Sequence, residues 1–405
     1  MLIRRHFVLG AVASLALAAG SSTAAADEPV KVGILLELSG PFAAQSKQIA
    51  NGIKAYVQAH GDTVAGRKIE LVFKDTTGPA PDLTKRLAQE LVTRDKVSFL
   101  AGFVLTPNAM AVAPVATEAK VPTIIMNAAT SVITTKSPYF ARVSFTLPQV
   151  TAPMAEWAAK NSLKKVFTLV SDYGPGNDAE ATFKKVFEAR GGQVVGSVKV
   201  PLKNPEFAPF IQRVKDSKPE AVFIFVPAGE ASIGLMKAFA ERGLAKAGIK
   251  LIGTGDLTDD DVLPAMGDAA LGVITTHHYS AAHKSPENDA FKKAYAQVAG
   301  AGVRPSFMAV GGWDGMQVIY EVVRQRAGKP TGKSDGKSEK TSDGDAAMQV
   351  IKGMAIKSPR GPITIDADTR DIVQDVYLRR VEKVGGQLYN VELETIPKVK
   401  DPGKS

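Results

Sequence analysis

Cysteine is absent from all 405 residues. That excludes disulfides, a thiol nucleophile and a lipid anchor on an N-terminal cysteine. Histidine occurs only five times and tryptophan twice. No Gly-x-Ser-x-Gly elbow joins a strand to a helix. No Walker loop is present, and no Gly-x-Gly-x-x-Gly follows the first strand. The chain therefore reads as a non-enzyme and calls for no cofactor. Beyond the amino terminus no apolar run reaches the roughly 20 residues that a membrane span needs. The formal charge is +9, but no basic stripe alternates with aromatics, which speaks against nucleic acid. Spread over scattered lysines, this charge supports no more than mild attraction to acidic solutes or an anionic membrane surface.

What is present begins with an export signal. Arg4 and Arg5 form a basic start, residues 7–19 are apolar apart from Gly10 and Ser14, and Ala24 and Ala26 give a small-x-small cleavage pattern. Cleavage after Ala26 is expected, leaving a mature chain with a net charge of +7 in the space outside the cytoplasmic membrane. Arg4-Arg5-His6-Phe7 also resembles a twin-arginine signal, without the usual Ser or Thr ahead of the pair. About 380 residues then remain, natural for two lobes rather than one core.

Along that chain, buried apolar strands alternate with amphipathic helices. Strands are expected at 30–36, 69–73, 97–101 and 123–126, with helices at 42–59, from Asp82 onward, and at 108–120. The rhythm resumes with strands at 166–170, 194–200, 221–226 and 250–253 and helices at 179–190, 207–216 and 231–242. Two such runs, 30–147 and 165–278, predict an α/β protein of two Rossmann-like, doubly wound lobes with parallel sheets. Residues 328–345, all Gly, Lys, Ser, Asp and their like, are expected to form a mobile surface loop. A helix at 346–354 and a strand at 374–382 follow.

Five short motifs in this order carry a resemblance: Ser39-Gly40-Pro41, Gly102 leading to Thr106, Asn127-Ala128-Ala129-Thr130, Asp172-Tyr173-Gly174, and Gly361-Pro362. Together they resemble the periplasmic branched-chain amino-acid-binding proteins of ABC transporters, over nearly the whole mature chain. The resemblance implies two lobes, 27–147 plus 279–360 and 148–278 plus 361–405, joined by three crossovers near 147, 278 and 360. It implies a ligand cleft between them, a monomer, and membrane permease and ATPase subunits as partners. An extracytoplasmic sensor on the same fold is the alternative role.

In that family a hydroxyl and loop amides hold the ligand carboxylate. Thr106 matches the hydroxyl, and Ala128, Ala129 and Thr130 match the loop. Thr106 also suits a helix N-cap, with Pro107 in the first turn. Tyr173 matches the second-lobe tyrosine that closes on the ligand. The pocket-floor aromatic falls at Gln45, the far-lobe aromatic near Ala228, and the acid for a ligand ammonium at Gly255 or Asp256. If Asp256 does not serve, an aromatic or other organic carboxylate rivals a branched-chain amino acid, because an unpaired buried ammonium costs several kcal/mol. Phe103, Met308, Phe307 and Trp313 are further wall candidates, the last two equally suited to core packing.

No metal site is expected. Adjacent His277 and His278 should point to opposite faces of a strand, which with His283 suits packing or a pH-sensitive lobe contact better than zinc. Asp259, Asp260 and Asp261 lack the alternating spacing of a calcium loop and read as helix N-terminal acids.

Overall fold

The computed structural model describes residues 28–328 and 343–404. The expected leader, and all but the ends of the loop expected at 328–345, lie outside the described residues. At the loop's far end, 343–345 already belong to a helix rather than to loop.

The first sheet contains β1 (Val30–Leu36), β2 (Thr63–Val64), β3 (Arg67–Asp75), β4 (Phe99–Gly102), β5 (Thr123–Ile125) and β6 (Phe140–Arg142). Its order is β2-β3-β1-β4-β5-β6, parallel except for the β2–β3 hairpin. Helices α1 (Ala43–His60), α2 (Pro81–Thr93) and α3 (Thr106–Ala119) make the crossovers. Val32, Ile34, Leu100 and Ile124 are fully buried, as sheets covered on both faces require. The strand order reverses between β1 and β4. Ligands of such sheets bind outside the carboxyl ends of the strands at that reversal.

After β6 the chain enters α4 (Leu147–Lys160) and a second sheet. That sheet contains β7 (Lys165–Ser171), β8 (Gln193–Val200), β9 (Ala221–Phe225), β10 (Lys250–Thr254) and β11 (Ile274–His277). Helices α5 (Gly174–Ala189), α6 (Ala208–Asp216), α7 (Glu230–Glu241) and the short α8 (Leu263–Met266) connect them. Here β7 lies between β8 and β9, so a second reversal falls at the carboxyl ends of β7 and β9.

The chain then returns to the first lobe as α9 (Pro286–Ala299) and α10 (Phe307–Arg326), which pack against α1. The seating is close: a Cβ on Gly52 of α1 would lie 2.0 Å from the Ala309 carbonyl oxygen of α10. Helix α11 (Asp343–Ile351) starts three residues before the expected 346. Strands β12 (Ala355–Ser358) and β13 (Gly361–Ile365) lead to β14 (Ile372–Val384), which pairs antiparallel with β11 and extends the second sheet. An unanticipated last strand, β15 (Gln387–Val399), pairs with β14 along most of its length.

Three buried arginines gather the passages between lobes. Arg360, in the β12–β13 turn, pairs with Asp314 of α10 at 3.0 Å and donates to the carbonyls of Val143 and Ser144 in the first passage. Arg379 of β14 donates to the carbonyl of Tyr279 in the second. Arg142, at the end of β6, pairs with Asp371 at 2.8 Å just before β14. The Arg360–Asp314 pair is wholly dehydrated, so removing either partner leaves an uncompensated charge.

Candidate functional site

The first-lobe side of the site is built at the β1–β4 reversal. Gly102 ends β4 at φ 111°, where a Cβ would lie 2.4 Å from the Leu35 carbonyl oxygen. Phe103 follows in the left-handed region and is buried. The chain then enters α3 through Thr106. Leu105, not Thr106, is the N-cap, and the Thr106 hydroxyl makes no cap bond. Instead it lies 2.9 Å from the Thr130 hydroxyl, which brings two expected carboxylate-binding residues together.

The loop carrying Thr130 is shaped by Arg142. Its guanidinium donates to the carbonyls of Ala128 (3.0 Å), Phe145 (3.2 Å), Thr130 (2.8 Å) and Ser131 (3.3 Å). Carbonyls drawn toward the cation leave the amides facing away from it. The N–H groups of Thr106, Ala129 and Thr130 donate to no described residue. The Ala128 N–H is engaged by the Phe103 carbonyl at 2.9 Å, so Ala128 offers a methyl group rather than an amide. Two hydroxyls and unengaged amides near a helix N-terminus make a site for an anion.

Sequence reasoning missed Glu37, which is fully buried at the end of β1. It accepts from Asn108 Nδ2 at 2.8 Å and from the Ser46 hydroxyl at 3.4 Å. Burial pushes its carboxyl up to about 7, against the pull of the Val104 and Leu105 amides. The only signal was an acid directly after the apolar end of β1, Ile34-Leu35-Leu36.

The second lobe meets this loop at its own reversal. Tyr173 follows β7 and stacks on Phe225 with centroids 6.0 Å apart. Burial, then the charge of Asp256, hold its phenol well above the usual range. Contact between lobes is direct. A Cβ on Gly174 would lie 2.6 Å from the Thr130 hydroxyl oxygen, and Ser131 N–H donates to Asp178 at 2.8 Å. Gln45 Nε2 donates to the Ala228 carbonyl at 2.5 Å, so the two positions expected to carry aromatics bond to each other.

Asp256 is buried and accepts from the Thr254 hydroxyl at 3.0 Å; burial pushes it up to about 7, with Arg379 pulling the other way. Its neighbour Gly255 has no room for a side chain. A Cβ there would lie 2.2 Å from Arg379 Nη2 and 2.4 Å from His277 Cβ.

At the base, the rings of Phe145, His277, His278 and Phe307 pack together. His278 stacks on Phe145 at 4.8 Å, and His277 meets Phe307 edge-on at 4.4 Å. The two imidazoles are 4.3 Å apart, contrary to the expectation of opposite faces, because β11 ends at His277 and His278 lies beyond the strand. Both are fully buried, and no ring nitrogen of either finds a hydrogen-bond partner. Burial, with the positive charge of Arg379 and Arg360, holds both well below their ordinary value, so they are neutral.

Other expectations fall elsewhere. Met308 is buried beside Phe307 at the start of α10. Trp313 packs edge-on against Tyr56 and Phe291, in the core. His283 leaves the histidine pair and meets Glu392 at 3.0 Å. Asp259, Asp260 and Asp261 precede the short helix α8, but they are drawn into buried contacts. Asp259 and Asp260 are buried, Asp260 accepting from Ala281 N–H at 3.0 Å and Asn390 at 3.1 Å. Asp261 accepts from Gln48 of the first lobe at 3.1 Å.

Two doubly wound lobes with an anion loop on one and an aromatic on the other define a cleft-type small-molecule-binding protein. The sequence profile of the periplasmic binding protein family matches residues 29–387. A relative in Brucella melitensis biotype 1, Leu/Ile/Val-binding protein homolog 6, is 44% identical over 97% of this chain and 98% of its own length. A solute-binding protein of an ABC transporter from Rhodopseudomonas palustris BisB5, solved with 3,4-dihydroxybenzoic acid, is 55% identical. The likeness spans 93% of this chain and 99% of that one, at a TM-score of 0.87. A second, from strain HaA2 with p-hydroxybenzoic acid, is 46% identical over 93% and 99%, at a TM-score of 0.88. The chain belongs to the periplasmic binding protein family. It is an extracytoplasmic solute-binding protein of the ABC-transporter type, with the type I architecture of two α/β lobes.

Proposed function

We propose that this protein captures an aromatic carboxylate between its lobes and presents the closed form to a permease driven by an ATPase. One observation carries the reading. Where an acid would receive a ligand ammonium stands Gly255, and the space of any side chain there is filled by Arg379 and His277. An ammonium would sit beside a buried guanidinium, whereas an amine-free ring meets the aromatic base. The carboxylate is taken by Thr106, Thr130 and the amides of Ala129 and Thr130. Tyr173, Phe103, Ala128, Gln45 and Met308 line or support the walls. The bound ligands of the two palustris proteins are of this chemical class.

Closure is a population shift, set by how much better the closed form holds the ligand. The protein acts by binding rather than by catalysis, as a periplasmic monomer released from its leader after Ala26. A branched-chain amino acid is the second reading, favoured by Asp256, whose buried carboxyl beside Tyr173 would receive the ammonium.

Calorimetric titration of residues 27–405 with benzoate, 4-hydroxybenzoate and leucine tests both. Binding of the aromatic acids without leucine supports the first reading. Binding of leucine alone reverses the order.

A further inference from the structure

We propose that His277 and His278 read a hydroxyl on the ligand ring and so select ring-hydroxylated aromatic carboxylates over unsubstituted ones. The inference rests on the aromatic-carboxylate reading and adds the identity of the far end of the pocket.

The two side chains are fully buried, and all four of their ring nitrogens lack a hydrogen-bond partner. Buried polar atoms are nearly always satisfied, because an unpaired one forfeits its hydrogen bonds to water. Pure packing at this place would be served better by phenylalanine, which Phe145 and Phe307 already supply on either side. A neutral imidazole carries one N–H donor and one bare nitrogen acceptor. Two of them side by side can receive a phenol proton at one nitrogen and donate to the phenol oxygen from another.

The position suits the task. The Phe145 carbonyl is gripped by the guanidinium that holds the Ala128 and Thr130 carbonyls, so the aromatic base adjoins the anion loop. On the other side, His277 abuts Gly255 in the second lobe. A planar acid with its carboxylate on the Thr106–Thr130 side would turn its opposite edge toward the imidazoles. The packed alternative, in which the pair only joins crossovers, predicts no dependence on the ligand's hydroxyl.

The test compares benzoate, 4-hydroxybenzoate and 4-methylbenzoate on residues 27–405 by calorimetry, then repeats the series in His277→Phe, His278→Phe and His278→Asn. The unsubstituted protein should prefer the hydroxylated acid to both others by about tenfold or more, the worth of one good hydrogen bond. Each Phe variant should erase most of that preference, read as the ratio of the two affinities in the same variant. His278→Asn, which keeps a donor and an acceptor, should retain part of it. A parallel loss for every ligand in folded variants, or an unchanged preference, overturns the proposal. If the unsubstituted protein binds benzoate and 4-hydroxybenzoate equally, the histidine role fails while the aromatic-carboxylate reading stands. If it binds none of the three, both fall. Should a Phe variant not fold, the ligand series on the unsubstituted protein decides.

Discussion

Arg142 and Arg379 are both fully buried, one on each side of the cleft, and they are satisfied very differently. Arg142 faces one close carboxylate and four carbonyls, with every nitrogen of its guanidinium engaged. Arg379 has Asp256, Asp259 and Asp260 around it, yet its Nε has no partner. The first-lobe loop is thus set before any ligand arrives, with its amides turned outward. Across the cleft, burial raises the carboxyls of Asp256, Asp259 and Asp260 toward their neutral forms, and the nearby histidines are neutral too. On the proposed reading, the first side would offer fixed partial positive charge to a carboxylate, and the other would meet the rest of the ligand with groups gathered around a buried guanidinium.

Breaking the rigid side should have the largest effect. Arg142→Leu leaves Asp371 to Lys404 and Thr134 alone and strands four buried carbonyls, so urea unfolding should show a loss of about 3–5 kcal/mol and ligand binding should vanish. Equal stability in the variant would show that the loop does not depend on the cation. Thr106→Ala should leave folding intact and weaken binding of an aromatic carboxylate by about 1–3 kcal/mol, with Thr106→Ser restoring it. Unchanged titration curves would remove the hydroxyl from the anion site.

The smallest effect concerns Glu37. Its carboxyl is raised from an ordinary 4.5 to about 7, so between those values the native state holds a proton that the unfolded chain has lost. That contribution is complete below about 4.5 and is lost as pH rises toward 7, at a slope on the order of 1 kcal/mol per pH unit. Glu37→Gln should remove this contribution, so the variant's stability relative to the unsubstituted protein should improve as pH rises from about 5 to 7. The histidines act oppositely. Their lowered values make stability fall as pH drops below the ordinary 6.5, so the variant should expose a steeper acid limb. An unaltered profile in denaturant titrations from pH 5 to 8 would place Glu37 in water.

Much of the architecture was legible because covered parallel strands read as unbroken apolar runs. The expected 30–36 is β1 to the residue, and most other elements differ only at their ends. Strand β15 escaped notice because its polar residues (exposed Glu394 and Thr395 among them) break the apolar run, and it is held mainly by pairing with β14. The site was harder. Thr106, Thr130 and Tyr173 were reachable through short motifs, but Arg142 was not, since the carbonyls it holds are backbone atoms of a loop that only folding wraps around it.

The same limit applies to the acids and histidines. Asp259, Asp260 and Asp261 read only as helix N-terminal acids until Asn390, Ala281 and Gln48 are brought to them from distant segments. His277 and His278 read as opposed side chains until the strand is seen to end between them. The order of apolar and polar residues by itself determined two α/β lobes and most of their strands, because burial on both faces of a sheet leaves a local pattern. Tertiary structure alone decided which polar groups are paired, neutral or left without a partner. Those properties depend on atoms hundreds of residues apart meeting where water is excluded.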